Sequence, residues 1–400
     1  MVQRGRAHSN GLLCVISVPL CLCGFLIGWA DFASLREIWT APIQETLEWW
    51  FRTAWKEEFM HYLRALACLL CLVGIACSPN CCDDPECKTA SKFPELSGPY
   101  LGQEPPGMEP EIFAPGIVST GLATRDVAMT PDGNELYFGV TLGGRSMIMV
   151  TRQQDGTWTE PAVAPFSGRY LDLEPAISPD GKRFFFLSTR PQAGQEEKPG
   201  WAYQDIWVMD REGDAWGEPY NLGPPVNSDS PEYFPSVTTD GTIYFTREGE
   251  DRVSATWRSR LVDGAYTEPE MLGPEVNCGT NRFNVFVAPD ETFTIVPNVG
   301  REDATGGVDY YVVFRSDDDT WSEPINMGPA INQPEGREWS ASLSPDGKYL
   351  FFMSSRAYGE TDIPLTSKSI TDLVGLSAQP GWGSSDIWWV SAEVIEKLRP

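Results

Sequence analysis

Histidine is almost missing from this chain. Its 400 residues contain two, His8 and His61, so everything after residue 61 lacks imidazole. That excludes Ser-His-Asp and Cys-His catalysis there, together with most zinc-hydrolase sites. Any chemistry falls to carboxylates, Lys, Tyr, Ser or a hard metal ion. Cysteine is scarce in the same region: nine of ten precede residue 88 and only Cys278 follows. The C-terminal region is therefore not built around disulfides, and Cys278 reads as an unpaired, inert thiol. Basic charge is scarce too. Residues 1–76 hold six Lys/Arg and six Asp/Glu, which leaves 24 basic against 50 acidic side chains in the other 324, the whole of the net −26. Such a surface repels phosphate backbones and speaks against nucleic acid as a partner. The acidic surplus serves solubility, or attracts cations and basic proteins.

What is present divides the chain in four. Residues 60–76 follow a methionine, carry His61 and Arg64, and end in twelve apolar residues from Ala65 to Ala76. Twelve residues are too few for a spanning helix but suit the core of a signal peptide. The closing "GIAC" resembles the bacterial lipoprotein box, which makes Cys77 the lipidated first residue of the mature chain; secretion without a lipid is the alternative. An earlier apolar stretch, 11–30, is long enough to span a membrane, but basic residues after it oppose the positive-inside tendency. The simpler expectation is that translation starts at Met60 and 1–59 is a doubtful leader. Residues 77–105 are polar and Pro-rich and read as a flexible tether, with Cys81, Cys82 and Cys87 as linker residues. The chain is thereby expected in the cell envelope, periplasmic or surface-exposed, held by lipid or by the N-terminal segment.

From about 106 onward one brick recurs. "MTPDGNELYF" (129–138), "ISPDGKRFFF" (177–186), "VTTDGTIYF" (237–245), "VAPDETFTIV" (287–296) and "LSPDGKYLFF" (343–352) recur about every fifty residues. Each is followed by "DIWVMD", "DYYVVF" or a similar strand, and four copies continue with "TWTEPA"-like segments. Pro-Asp-Gly between apolar β-rich runs is a tight hairpin. The run "RFFFL" is apolar at consecutive positions, so both its faces are covered. Proline in Trp-x-Glu-Pro places the last strand at an edge. Four antiparallel strands per repeat describe a propeller blade. The fifth copy lacks its Glu-Pro strand, and "GMEPEIFAPGI" (107–117) supplies one from the other end. The expectation is an all-β, five-bladed β-propeller over 106–400, monomeric and closed by its N-terminal strand, with six blades as the alternative.

This repeat resembles the WD-repeat-like propellers of the TolB type. The resemblance is carried by Glu174, Ser178–Lys182, Arg190 and Asp205–Trp207, and again by Ser344–Lys348, Arg356 and Asp386–Trp388. It implies a binding or assembly platform for a protein or glycan partner in the bacterial envelope, and is weak for any particular function.

Candidate sites follow from the repeat. Each blade has an Arg near the end of its second strand: Arg145, Arg190, Arg247, Arg301 and Arg356. Asp205, Asp309 and Asp386 open third strands, so bridges Arg190–Asp205, Arg301–Asp309 and Arg356–Asp386 are expected within blades, an anion site being the alternative. Asp126, Asp172, Glu174, Glu232 and Glu338 are read as preceding first strands and are expected to gather at one channel mouth. There they cap strand starts, hold a cation such as Ca²⁺, or supply the acid/base pair of a carbohydrate hydrolase. Long loops 191–204 and 357–385 emerge on that face, and their Trp201, Tyr203, Tyr358 and Trp382 are read either as an aromatic platform for a ligand or as covers for their own blades. "SDDDTW" (316–321) is a turn. No catalytic residue, resident metal or cofactor is assigned.

Overall fold

A computed structural model describes residues 93–400 apart from 335, 359–364 and 383–384. The leader, the signal-like segment and Cys77 lie outside the described residues. Among the described residues no helix is long and apolar enough to cross a membrane.

Five small antiparallel sheets stand in a ring. Four innermost strands are Ala123–Met129, Asp172–Ile177, Glu232–Val237 and Glu338–Leu343; the fourth blade's is broken into Asn281–Arg282 and Phe286–Val287. Each innermost strand touches that of the next blade, and the fifth touches the first. The hairpins form as the repeat demands. Ser178 and Ser344 donate to Asp180 and Asp346, which accept the N–H two residues on, and Gly181 and Gly347 adopt φ of 71° and 70°. In the fourth blade Glu291 stands at the glycine position with φ 59°. That strained backbone is held because its carboxylate meets Arg315 at 2.6 Å and Tyr244 at 2.5 Å.

Second strands are sealed on both sides: Phe184, Phe185 and Phe186 are fully buried. The core consists of five apolar clusters, four lying between two neighbouring blades and the largest running from Phe234 of blade three through blade four to blade five. Cys278 lies in the one between blades three and four, where burial raises its thiol pKa.

The outermost strand is more broken than the sequence suggests. Thr157–Trp158 and Ala215–Trp216 extend the third strand's hairpin, Glu-Pro interrupts pairing, and the two residues after proline pair again further along. The N-terminal segment follows the same rule. Glu111 and Ile112, directly after Glu109-Pro110, pair with Trp389 and Trp388, so the ring closes as expected. The tether, placed over 77–105, gives way to docked chain by residue 96. Leu101 is buried, Tyr100 packs against Trp389 at 5.3 Å, and Trp158 Nε1 donates to the Gly98 carbonyl at 2.7 Å. Apolar side chains among the prolines give this stretch something to bury, which a solvated linker lacks.

Candidate functional site

The five acidic residues form two layers. Asp172, Glu232 and Glu338 open their innermost strands, are fully buried, and face the end of the second strand. There they meet arginines: Arg190–Asp172 at 2.9 Å, Arg247–Glu232 at 2.6 Å and Arg356–Glu338 at 3.5 Å. The expected Arg–Asp pairs are therefore corrected. Arg190 lies over the Phe186 and Trp207 rings at 5.0 and 5.3 Å and reaches inward, also donating to the Phe166 carbonyl. Asp205 instead accepts from Gln192 and Asn221, Asp309 from the N–H groups of Thr305 and Gly306, and Asp386 from Gly381 N–H. Arg301 turns to Asp303 at 3.0 Å. The third-strand aspartates are loop clamps.

This reassignment has a measurable consequence. Asp172 retains Ser167 and Ser188 as donors when Arg190 is lost, so Arg190→Leu is expected to cost about 2 kcal/mol in urea unfolding, the penalty of an under-satisfied buried acceptor. Replacement of Asp205 by Asn is expected to cost less than half of that; the reverse order would restore the Arg190–Asp205 pairing.

The second layer is deeper. At the same place in each innermost strand one residue is left-handed: Asp126, Glu174, Phe234, Asn284 and Ser340, with φ from 52° to 60°. In four blades the ladder register shifts there, a bulge that turns one side chain inward. Arg125 ties the layer together, 2.7 Å from Asp126 and 2.8 Å from Glu174, with Ser340 at 3.3 Å. Glu174 N–H donates to Asp126, Phe234 N–H to Glu174, and Asn284 to Glu174 and Ser340. The result is a cross-braced plug in the channel. Burial pushes the Glu174 carboxyl up to about 7, against the pull of Arg125, and burial does the same to Glu338. Asp386 rises to about 6 for the same reason, opposed by the Gly381 N–H. Among the described residues no three His, Cys, Asp or Glu side chains come close enough to hold a metal ion; the cations against these carboxylates are guanidinium groups. Asp126 and Glu174 share one guanidinium.

Sequence reasoning missed Arg125, whose place in the other blades is taken by Leu173, Tyr233, Phe283 and Trp339, and missed a clasp that does repeat. After each outermost strand, Asn227, Asn277 and Asn332 accept the N–H of Ile206, Thr256 and Tyr310 at 3.0, 2.7 and 2.8 Å. Ser167 and Ser119 do the same for Ile148 and Ile387. The signal was legible in "GPPVN", "GPEVN" and "GPAIN".

The long loops share the face on which the innermost strands begin. In 191–204 Trp201 is half exposed and Tyr203 donates to the Glu196 carbonyl at 2.9 Å, with Lys198 over its ring. In 357–385 Tyr358 is exposed yet meets Trp388 edge-on at 6.0 Å, and Trp382 is half-buried. The four are not brought together: two belong to blade two and two to blade five, with blade one between. The blade-five loop also contains a helix that sequence reasoning did not foresee, α1 (Ile370–Ser377), opened by a Ser369/Asp372 capping box. None of its side chains is buried, and Ile370, Leu373 and Val374 share one stripe, Ile370 being 76% exposed. Gly121 N–H to the Ala378 carbonyl, 3.2 Å, holds its far end to blade one.

The architecture is that of a five-bladed β-propeller with a plugged channel and one elaborated face. Among solved structures the chain is similar to TolB from Acinetobacter baumannii, with 17% identity, 67% of this chain and 57% of that one covered, and TM-score 0.39. It is similar to a TolB-type protein from Agrobacterium tumefaciens, with 17% identity, coverage of 60% and 71%, and TM-score 0.37. A third is the periplasmic gluconolactonase of Pseudomonas aeruginosa, with 13% identity, coverage of 57% and 64%, and TM-score 0.34. Likeness at this level concerns the fold. No protein-family model matches the sequence, and no curated protein matches it.

Proposed function

We propose that the chain is an envelope-anchored binding platform whose long-loop face docks a protein carrying an apolar groove with a basic rim. One observation carries the reading: large apolar side chains left in water concentrate on that face. Trp201, Tyr358, Leu365, Ile370, Leu373 and Val374 are exposed on the two insertions, joined by Leu122 and Leu142 at the same ends of blade one. Only Val163, Tyr220, Val262 and Met271, on outer strands and hairpins, are comparably exposed elsewhere among the described residues. A cluster of this kind marks an interaction surface, and α1 offers the i, i+3, i+4 anchors of a helix-in-groove contact. Charge favours a basic rim: residues 93–400 carry 22 Lys/Arg against 47 Asp/Glu. Envelope placement rests on the signal-like segment and the lipidation reading of Cys77.

A photo-crosslinking side chain at position 374 or 201 of the full chain, expressed in its host, is expected to capture one discrete protein. The same group at 262 or 271 should not. Val374→Asp is expected to reduce the position-201 product at least tenfold while shifting the melting temperature by less than about 2 °C, since Val374 packs against nothing in the core. Equal capture from both faces, or a product indifferent to Val374→Asp, would remove the reading.

A further inference from the structure

One residue ahead of each left-handed position the innermost strands carry Arg125, Leu173, Tyr233, Phe283 and Trp339, one per blade. Leu173, Tyr233 and Trp339 are second in their strands, so this tier stands just inside the long-loop mouth of the channel. Leu173 is buried, while the three aromatic side chains are half-buried and keep part of their surface in water. Arg125 Nη2 and Asn284 Nδ2 both reach Ser340 Oγ, at 3.3 Å each. Phe283 and Trp339, the residues before Asn284 and Ser340, meet edge-on with centroids 6.0 Å apart. These contacts gather Arg125, Phe283 and Trp339 on one side of the mouth. Tyr233 is held by its own hydrogen bond with Ser254, at 2.7 Å.

Two donors of this group are free and reachable. The Arg125 side chain is 21% exposed, against 2% and 5% for Asp126 and Glu174. The cavity at the hairpin end of the channel is lined by both carboxylates and not by Arg125, so the exposed part of the guanidinium faces the long-loop mouth. Its Nε and Nη2 are taken by Asp126, Glu174 and Ser340. Nη1 meets no acceptor among the described residues, nor does Trp339 Nε1, and neither atom is sealed from solvent. Aromatic walls with a few convergent polar groups are the composition of a small-ligand site. Charge narrows the class. Asp126 already balances Arg125, and burial holds the Glu174 carboxyl up at about 7, so an anion finds no spare positive charge there. A cation meets a guanidinium, and a wholly apolar body leaves both donors desolvated and unmet. An uncharged polyol fits: its oxygens accept, and the polarised C–H bonds on one face of a pyranose suit the negative face of an aromatic ring.

We propose that the long-loop mouth of the channel binds the ring of an uncharged pyranose sugar, its C–H face on Trp339 beside Phe283 and its oxygens accepting from Arg125 Nη1 and Trp339 Nε1. Trp339 supplies both the stacking surface and a donor in the plane of its ring, and Arg125 supplies the second donor from the floor. The mouth opens on the same face as the long loops, but no residue of either loop belongs to the site, so it stands whether or not a protein docks there.

The test is saturation-transfer NMR and titration of the full chain with the methyl glycosides of glucose, galactose, mannose and N-acetylglucosamine, each beside its uronate and its 2-amino counterpart. At least one uncharged glycoside is expected to bind, with transfer concentrated on the C–H protons of one ring face. It should bind at least about fivefold more tightly than either charged counterpart. Trp339→Ala should weaken it about tenfold through loss of the stacking surface. Trp339→Phe keeps an aromatic face and removes only the N–H, and should weaken binding about fivefold. If Trp339→Ala does not fold by circular dichroism, Trp339→Phe carries the test alone. No binding by any uncharged glycoside, a charged counterpart bound as tightly, or unchanged affinity in Trp339→Phe would each overturn the assignment. A larger loss in Trp201→Ala than in Trp339→Phe would place the sugar on the loop and overturn it as well.

Discussion

Phe113→Ala is expected to lower the unfolding free energy by about 3–5 kcal/mol, against a total of roughly 5–15 for a folded domain. The residue directly follows the closing strand. It is fully buried, 5.0 Å from the Phe351 ring and 5.2 Å from Trp389, and its N–H bonds the Ile387 carbonyl at 2.8 Å. Truncation removes the transfer term of a phenyl group and leaves a cavity between blades five and one. The neighbours cannot collapse easily, because Phe351 and Trp389 stack on each other at 5.6 Å and are themselves fixed in strands. A second consequence follows from topology. If the closing segment lets go, the strand Asp386–Ser391 presents an unpaired edge, and open edges recruit other chains. Urea unfolding should therefore show the destabilisation, with concentration-dependent aggregation near the midpoint. Val163→Ala, on the exposed outer strand of blade one, is the control and should change stability by less than about 0.5 kcal/mol. A cost below about 1 kcal/mol for Phe113→Ala would mean that closure contributes little to the fold.

Closure could be read from sequence because it follows a counting rule: four Glu-Pro segments for five hairpins, and a fifth at Glu109-Pro110. The arginine partners could not be read that way. Ser188 pairs with Asp172 on one side and with Asp205 on the other, so register leaves Arg190 two carboxylates at similar reach. What decides is three-dimensional: the guanidinium slides over Phe186 and Trp207 toward the channel, while Gln192 and Asn221 already occupy Asp205. The acidic residues were grouped by nearness to the first strand, yet a bulge separates their roles. Asp172 caps the strand start, whereas Glu174, two positions on, turns into the plug because its backbone is left-handed. Repetition reveals what every blade shares and hides what only one blade has, which is why Arg125 and α1 escaped while the hairpins did not.

Arg125→Met is the other substitution with a large expected effect, and its size should depend on pH. Among the described residues the arginine is the one cation joined to both Asp126 and Glu174. Its loss leaves two buried carboxylates facing each other, for which breaking a buried pair gives a scale of about 3–5 kcal/mol. Burial holds the Glu174 carboxyl at about 7, above its ordinary 4.5, and does the same to Glu338. For a carboxyl raised in the folded state, the native protein binds more protons than the unfolded chain between those two values. Its contribution to stability is thus full below about 4.5 and is lost as pH rises through about 7. The wild-type chain should accordingly be more stable at pH 5 than at pH 8, by on the order of 2 kcal/mol from each group. Glu338→Gln should remove its share of that slope, since an amide keeps the donor contact from Ser354 and does not titrate. In Arg125→Met the slope should steepen, because the guanidinium that opposes the upward push of burial on the Glu174 carboxyl is gone. Thermal unfolding of the three proteins across pH 5–8 decides the matter. Parallel profiles for wild type and Arg125→Met would show that the guanidinium does not neutralise the plug.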